Sequence, residues 1–251
     1  MAERIILAII LFLIGMLIGG FMNICIDRIP KGEKLLRNSC RCGGCGDSYP
    51  WYLLIPIFGF LVARGKCPKC SQKLSIQYPI IAALNGALYI LVSFVTGFGW
   101  DSMIYCLMTS ALLTLSIIDF RTYEIPVGFN IFLGFLGVMR CALNFGHIVD
   151  HLIGLVAISA ALAALYYLSG GRAIGGGDVK LMAAAGLLLG WKLIILAFVI
   201  GVVAGAIIHV IRMKVSDAEA VLALGPYLSV GIWIAALWGD VIINAYLGIV
   251  M

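Results

Sequence analysis

From Ile5 to Ile26 the chain carries no charged side chain, and apolar stretches of that kind recur to its end. A run near 20 residues is long enough to cross the hydrocarbon core of a bilayer as an α-helix. No water is available there to satisfy backbone N–H and C=O groups, so a crossing segment must close its hydrogen bonds on itself. The chain is 63% hydrophobic and 12% charged, about half the charged fraction of a soluble domain. These features predict an all-α polytopic membrane protein lying in the lipid bilayer. Met1 to Ile26 has no small-residue cleavage site and reads as a retained first helix rather than a secretory signal.

About eight transmembrane helices are expected, near Ile5–Ile26, Pro79–Phe98, Ser102–Ile118, Val127–Leu143, Ile148–Leu168, Val179–Leu189, Leu193–Ile211 and Tyr227–Ile249. The sixth is too short to span without thinning, burial or an extension. The chain divides into a first helix (1–26), a polar insert (27–77) and a helical domain (78–251). Lys and Arg count 14 on the side of the insert against 3 on the other (Arg4, Arg140 and Lys192), of 17 in all. Positive charge collects on the cytoplasmic side, which predicts a cytoplasmic insert with both termini outside. The net charge of +5 therefore reports orientation, and no nucleic-acid partner is expected.

The insert holds Cys42-Gly-Gly-Cys45 and, after 21 residues, Cys67-Pro-Lys-Cys70. Two such knuckles have the spacing of a four-cysteine zinc site. Four thiolates give closed tetrahedral coordination, hence a structural Zn²⁺, and the reducing cytoplasm disfavours disulfides. A redox pair or unliganded thiols are the alternatives, and Cys40 is a spare that could replace Cys42. The aromatic segment Tyr49–Phe60 is too short to span and should lie at the interface. Cys25, Cys106 and Cys141 sit in apolar runs and read as packing residues. His147 and His151 are one helical turn apart but lack a third ligand, so solvation at the interface is the expectation. The small-residue patterns Gly15-xxx-Gly19, Gly186-xxx-Gly190 and Gly201-xxx-Gly205 are those of close helix packing.

Two acids stand at the ends of apolar runs: Asp119, in a predicted loop, and Asp178, after Gly175-Gly176-Gly177 and before Val179-Lys180. A carboxylate at membrane level is costly and suggests function, although an acid opening a helix is also a good cap. Two that converge could share a proton. The ionised one would take a proton from water, and the protonated one would donate to the carbonyl or leaving amine. Gly175 and Gly177 would leave room for a substrate backbone, with Lys180 beside them.

Gly175-x-Gly177-Asp178-x-Lys180-Leu181 together with Ile118-Asp119-x5-Ile125-Pro126 resembles the type IV prepilin peptidases, membrane aspartyl proteases with a Gly-x-Gly-Asp motif. Gly20–Pro30, the paired knuckles followed by Tyr78-Pro79, and Leu224-Gly225-Pro226-Tyr227 look like further segments of that family, so the resemblance covers nearly the whole chain. It implies cleavage of the basic leader from prepilins and pseudopilins at the cytoplasmic face of the bacterial inner membrane, usually after a Gly. It also implies N-methylation of the new terminal residue with S-adenosylmethionine. The family usually has Pro where Gly43 stands and Glu where Ala82 stands, departures that bear on methylation and not on the Asp pair. No glycine-rich nucleotide fingerprint marks a methyl-donor site. An ion-coupled transporter, a presenilin-like intramembrane protease and an assembly scaffold built on the insert are the competing readings.

Overall fold

The computed structural model describes residues 2–35, 45, 57–215 and 222–250. Cys40, Cys42, Gly43 and the part of the aromatic segment up to Pro56 lie outside the described residues. The described chain is helical apart from one isolated bridge between Lys66 and Lys73. Its α-helices are α1 (Ala2–Arg28), α2 (Phe58–Val62), α3 (Gln77–Thr96), α4 (Trp100–Thr122), α5 (Val127–Leu143), α6 (Ile148–Ala157), α7 (Ser159–Leu168), α8 (Gly176–Leu189), α9 (Trp191–Val215) and α10 (Gly225–Val250). Six spans are long and apolar enough to cross a membrane: Ile5–Lys31, Gln77–Thr96, Trp100–Thr122, Phe145–Leu168, Trp191–Lys214 and Gly225–Gly248. With the shorter α5 and α8 they account for all eight expected segments, and the protein is a multi-pass, all-α membrane protein.

The chain forms two compact units, Met1–Ser102 and Met103–Met251. In the first, α1 packs along α3 on small residues. A Cβ on Gly19 would stand 2.6 Å from the Ala82 Cα, and one on Gly15 would stand 2.9 Å from the Gly86 Cα. Lipid tails are as apolar as the side chains, so close backbone approach supplies the attraction between helices. Polar side chains tie the same seam. Asn85 Nδ2 donates to Gly15 O at 2.7 Å, and Asn23 Nδ2 donates to Gly19 O at 3.0 Å and to Tyr78 O at 3.1 Å.

In the second unit α8 is the hub, packed against α5, α6, α7, α9 and α10. Its 14 residues rise only about 21 Å, against the ~30 Å of a bilayer core. Its last carbonyls would be left without partners where water is scarce. Neighbouring helices satisfy them: Arg140 Nη1 of α5 donates to Leu188 O at 2.9 Å, and His151 Nδ1 of α6 meets Leu187 O at 2.9 Å. Gly154 and Gly186 let α6 and α8 cross backbone to backbone, Gly201 does the same for α9 against Tyr227 and Leu228 of α10, and Gly205 seats the Tyr227 ring. The three small-residue patterns thus lie at helix crossings.

Two expectations are corrected. Asp119 is not in a loop, because α4 continues to Thr122. It stops where Tyr123 turns to φ 57° and its N–H bonds Asp119 O at 2.8 Å. The expected fifth span stands as Phe145–Leu168, with an irregular turn at Ile158 between α6 and α7, where Ser159 Oγ bonds Leu155 O. His151 is not solvated at an interface but buried against α8; only His147 is exposed, 3.4 Å from Asp150.

Candidate functional site

Asp119 occupies the last turn of α4 and is 4% exposed. A bare carboxylate so buried needs donors. The backbone N–H of Gly225, the first residue of α10, donates to its Oδ2 at 3.0 Å. Only glycine fits there: a Cβ at position 225 would sit 2.6 Å from that same oxygen. The Leu224-Gly225-Pro226 segment therefore serves the site directly, by bringing a free helix N-terminal N–H up to the acid.

Asp178 lies in the first turn of α8, which begins at Gly176 rather than Val179. Gly175 is the residue before that helix, in extended geometry, and Asp178 N–H bonds Gly175 O at 3.1 Å. A Cβ on Gly175 would stand 3.1 Å from Asp178 Oδ2, and one on Gly177 would stand 3.0 Å from Ile125 Cβ. Ile125 also reaches the Cβ position of Gly225, at 3.2 Å. One side chain is thereby wedged between the loop that carries Asp178 and the loop that holds Asp119. The space beside Gly177 is filled by Ile125, while Lys180 is exposed.

The two carboxylates act on each other. Asp178 is outside the six spanning segments. Its burial, reinforced by the Asp119 carboxylate, pushes its carboxyl up to about 6, while the Gly175 backbone pulls the other way. Like charges brought together resist joint ionisation, so such a pair retains a single proton over a range of pH. The arrangement can activate water with one carboxylate and protonate a leaving group with the other.

Asn130 was missed by the sequence reading. It sits one turn into α5, is 6% exposed, and its Nδ2 reaches Gly177 O at 3.5 Å. An amide near the start of a 17-residue helix whose other polar side chain, Arg140, lies at the far end was the available signal.

In the first unit, Cys45, Cys67 and Cys70 bring their sulfurs within 4.8 Å of one another. Cys67 is buried, and its Sγ is 4.0 Å from that of Cys45, far beyond a disulfide bond. Tetrahedral Zn–S bonds of about 2.3 Å would place sulfurs ~3.8 Å apart, so the three thiols fit a common metal ion. The knuckle is folded by Cys67 N–H bonding Gln72 O at 2.8 Å and Ser71 N–H bonding Cys67 O at 2.9 Å. Cys42, the expected fourth ligand, lies outside the described residues. Ala82 is fully buried in the α1–α3 seam, its Cα close against Gly19.

Residues 13–96 match the profile of the bacterial peptidase A24 N-terminal domain, and residues 106–210 match that of the type IV leader peptidase family. A protein of Stutzerimonas stutzeri called prepilin leader peptidase/N-methyltransferase is 30% identical, over 93% of this chain and 91% of its own length. Proteins with the same name from Pseudomonas aeruginosa (30%; 94% and 91%) and Klebsiella pneumoniae (32%; 72% and 85%) are similar. No solved structure matches the chain. The two profiles meet the chain on either side of the boundary between its compact units, and with relatives of this similarity along most of its length, the chain belongs to the type IV leader peptidase family.

Proposed function

We propose that this protein removes the leader peptide from type IV prepilins and pseudopilins by water attack at the Asp119–Asp178 pair, and then N-methylates the exposed residue with S-adenosylmethionine. The observation that carries cleavage is the seating of two acids from helices far apart in sequence, Asp119 on the Gly225 N–H and Asp178 in the first turn of α8 beside Gly175, near enough for the Asp119 charge to raise the Asp178 carboxyl. The ionised carboxylate takes a proton from water, which attacks the scissile carbonyl. The protonated one supplies the proton that the leaving amine needs. No covalent enzyme intermediate is required. Gly175 and Gly177 shape the loop that presents Asp178, with Lys180 exposed beside it.

Methylation rests on family membership and on the names of the relatives. Ala82, buried in the α1–α3 seam, stands where the family usually has an acid, so any methyl-transfer site in this chain must work without that carboxylate. Cys42, Cys45, Cys67 and Cys70 are proposed to hold a structural Zn²⁺, supported by the convergence of the three described sulfurs. The excess of Lys and Arg on one side supports a bacterial inner-membrane enzyme with its acids and insert at the cytoplasmic face and its termini outside.

One experiment reads both activities. Purified protein is incubated with a prepilin and S-adenosylmethionine, and the product is weighed by mass spectrometry. Loss of the leader plus about 14 Da supports both steps, and loss of the leader alone removes the methyltransferase. An intact prepilin with wild-type protein would overturn the reading.

A further inference from the structure

Asn130 carries more than its contact with Gly177. Its Oδ1 is buried and has no hydrogen-bond partner among the described residues. The amide orientation is fixed by its neighbour: Nδ2 faces Gly177 O, and two acceptors would not be placed face to face. Oδ1 is therefore the spare atom, a buried acceptor beside the peptide immediately before Asp178. A buried acceptor without a donor is a cost to the fold, which Leu or Ala at the same point of α5 would avoid.

A peptide about to be cut supplies the missing donor. Its scissile region must be extended, which frees backbone N–H groups from intrahelical bonding, and once out of water those groups need an acceptor. We propose that Asn130 is a substrate-binding residue whose Oδ1 accepts a backbone N–H of the prepilin strand next to the scissile bond, while its Nδ2 holds the Gly177 peptide that carries Asp178. The ligand class is an extended peptide backbone, recognised without regard to side chain. One amide thus links the register of the substrate to the position of an acid. The inference rests on the peptidase reading of the site.

Short synthetic prepilins test it. Backbone amides within two residues on either side of the scissile bond, but not the scissile amide, are replaced one at a time by esters, which lack the N–H. Cleavage by wild type and by Asn130→Ala is followed as kcat/KM. At one position the ester should slow the wild type about tenfold. Asn130→Ala should be about tenfold slower on the all-amide peptide and lose nothing further with that ester. Equal, additive losses at every position would overturn the proposal, because a purely structural role for Asn130 predicts additivity. Asn130→Leu, which fills the same space, serves if the alanine variant does not fold. Ser229→Ala is the control: its hydroxyl is also buried without a hydrogen-bond partner among the described residues, and it should keep the full ester effect. Failure of wild type to cut the all-amide peptide would instead strike the peptidase reading, so the two failures are distinct.

Discussion

The cysteine cluster and the aspartate pair place reactive groups together by opposite means. The three described sulfurs sit outside the helices; Cys45 and Cys70 are exposed and only Cys67 is buried. The two acids are fixed by helix ends, by close-fitting glycines beside them, and by Ile125 wedged between Gly177 and Gly225. A thiolate cluster gains its free energy when metal arrives. A buried carboxylate pair is a standing cost that the surrounding helices must offset. The first region is thus organised by its ligand, and the second is organised against its own charges.

The largest expected effect comes from removing one charge of the pair. Asp119→Asn and Asp178→Asn should each lower prepilin cleavage about 10⁴-fold or more, measured as product formed under single-turnover conditions. Both variants should stay in the membrane and elute as the wild type does. Activity within tenfold of wild type for either would mean that the pair is not the catalytic unit.

Metal removal should act on the other region. Purified wild type should hold about one zinc per chain. Cys67→Ser should hold less than half an equivalent, and protease should then cut between residues 57 and 75 that it previously spared. If the cluster is structural, cleavage by freshly prepared Cys67→Ser should fall less than tenfold, against the ~10⁴-fold of the Asp variants. A zinc content unchanged by Cys67→Ser would break the contrast.

A smaller effect follows from the Asp178 carboxyl, pushed up to about 6. The pair needs one proton, and the last one leaves as pH rises through that value. In the free enzyme kcat/KM should therefore fall on the alkaline side of about pH 6, by up to tenfold per pH unit, while kcat should break at higher pH once substrate excludes water. A profile flat from pH 5 to 9 would argue that the pair is already committed to one protonation state.

Much of this was legible in the sequence because lipid imposes a simple rule: a run expected to cross it had to become a helix, and the eight such runs did. The acids stood out for the same reason, as charges where charge is expensive. Helix ends were not legible. Hydropathy placed the end of α4 before Asp119, but the end is set by the hydrogen bond from Tyr123 and its left-handed backbone. Long-range partners were hidden as well. His151 looked like an interfacial residue until α8, 36 positions along, brought its Leu187 carbonyl against the ring. The Gly225 N–H on Asp119 spans 106 positions, and nothing local to either residue announces it.

The smallest expected effect is on stability, and its sign is opposite to that usually met when a polar residue is removed. An acid whose carboxyl is raised from 3.8 to about 6 binds its proton more tightly folded than unfolded. Stability therefore falls as pH rises from about 4 to 6, and stays at the lower level above that. Asp178→Asn removes the penalty, so at pH 7.5 it should be the more stable protein, by about 3 kcal/mol, or several degrees in the melting temperature. At pH 4 wild type and variant should melt together, because both are then neutral at that position. Cys67→Ser should do the reverse and melt lower wherever zinc is bound, since that cluster is stabilised by what it holds. An Asp178→Asn variant that melts below wild type at pH 7.5 would mean that the charge is part of what holds α8 in place, and the contrast between the two regions would collapse.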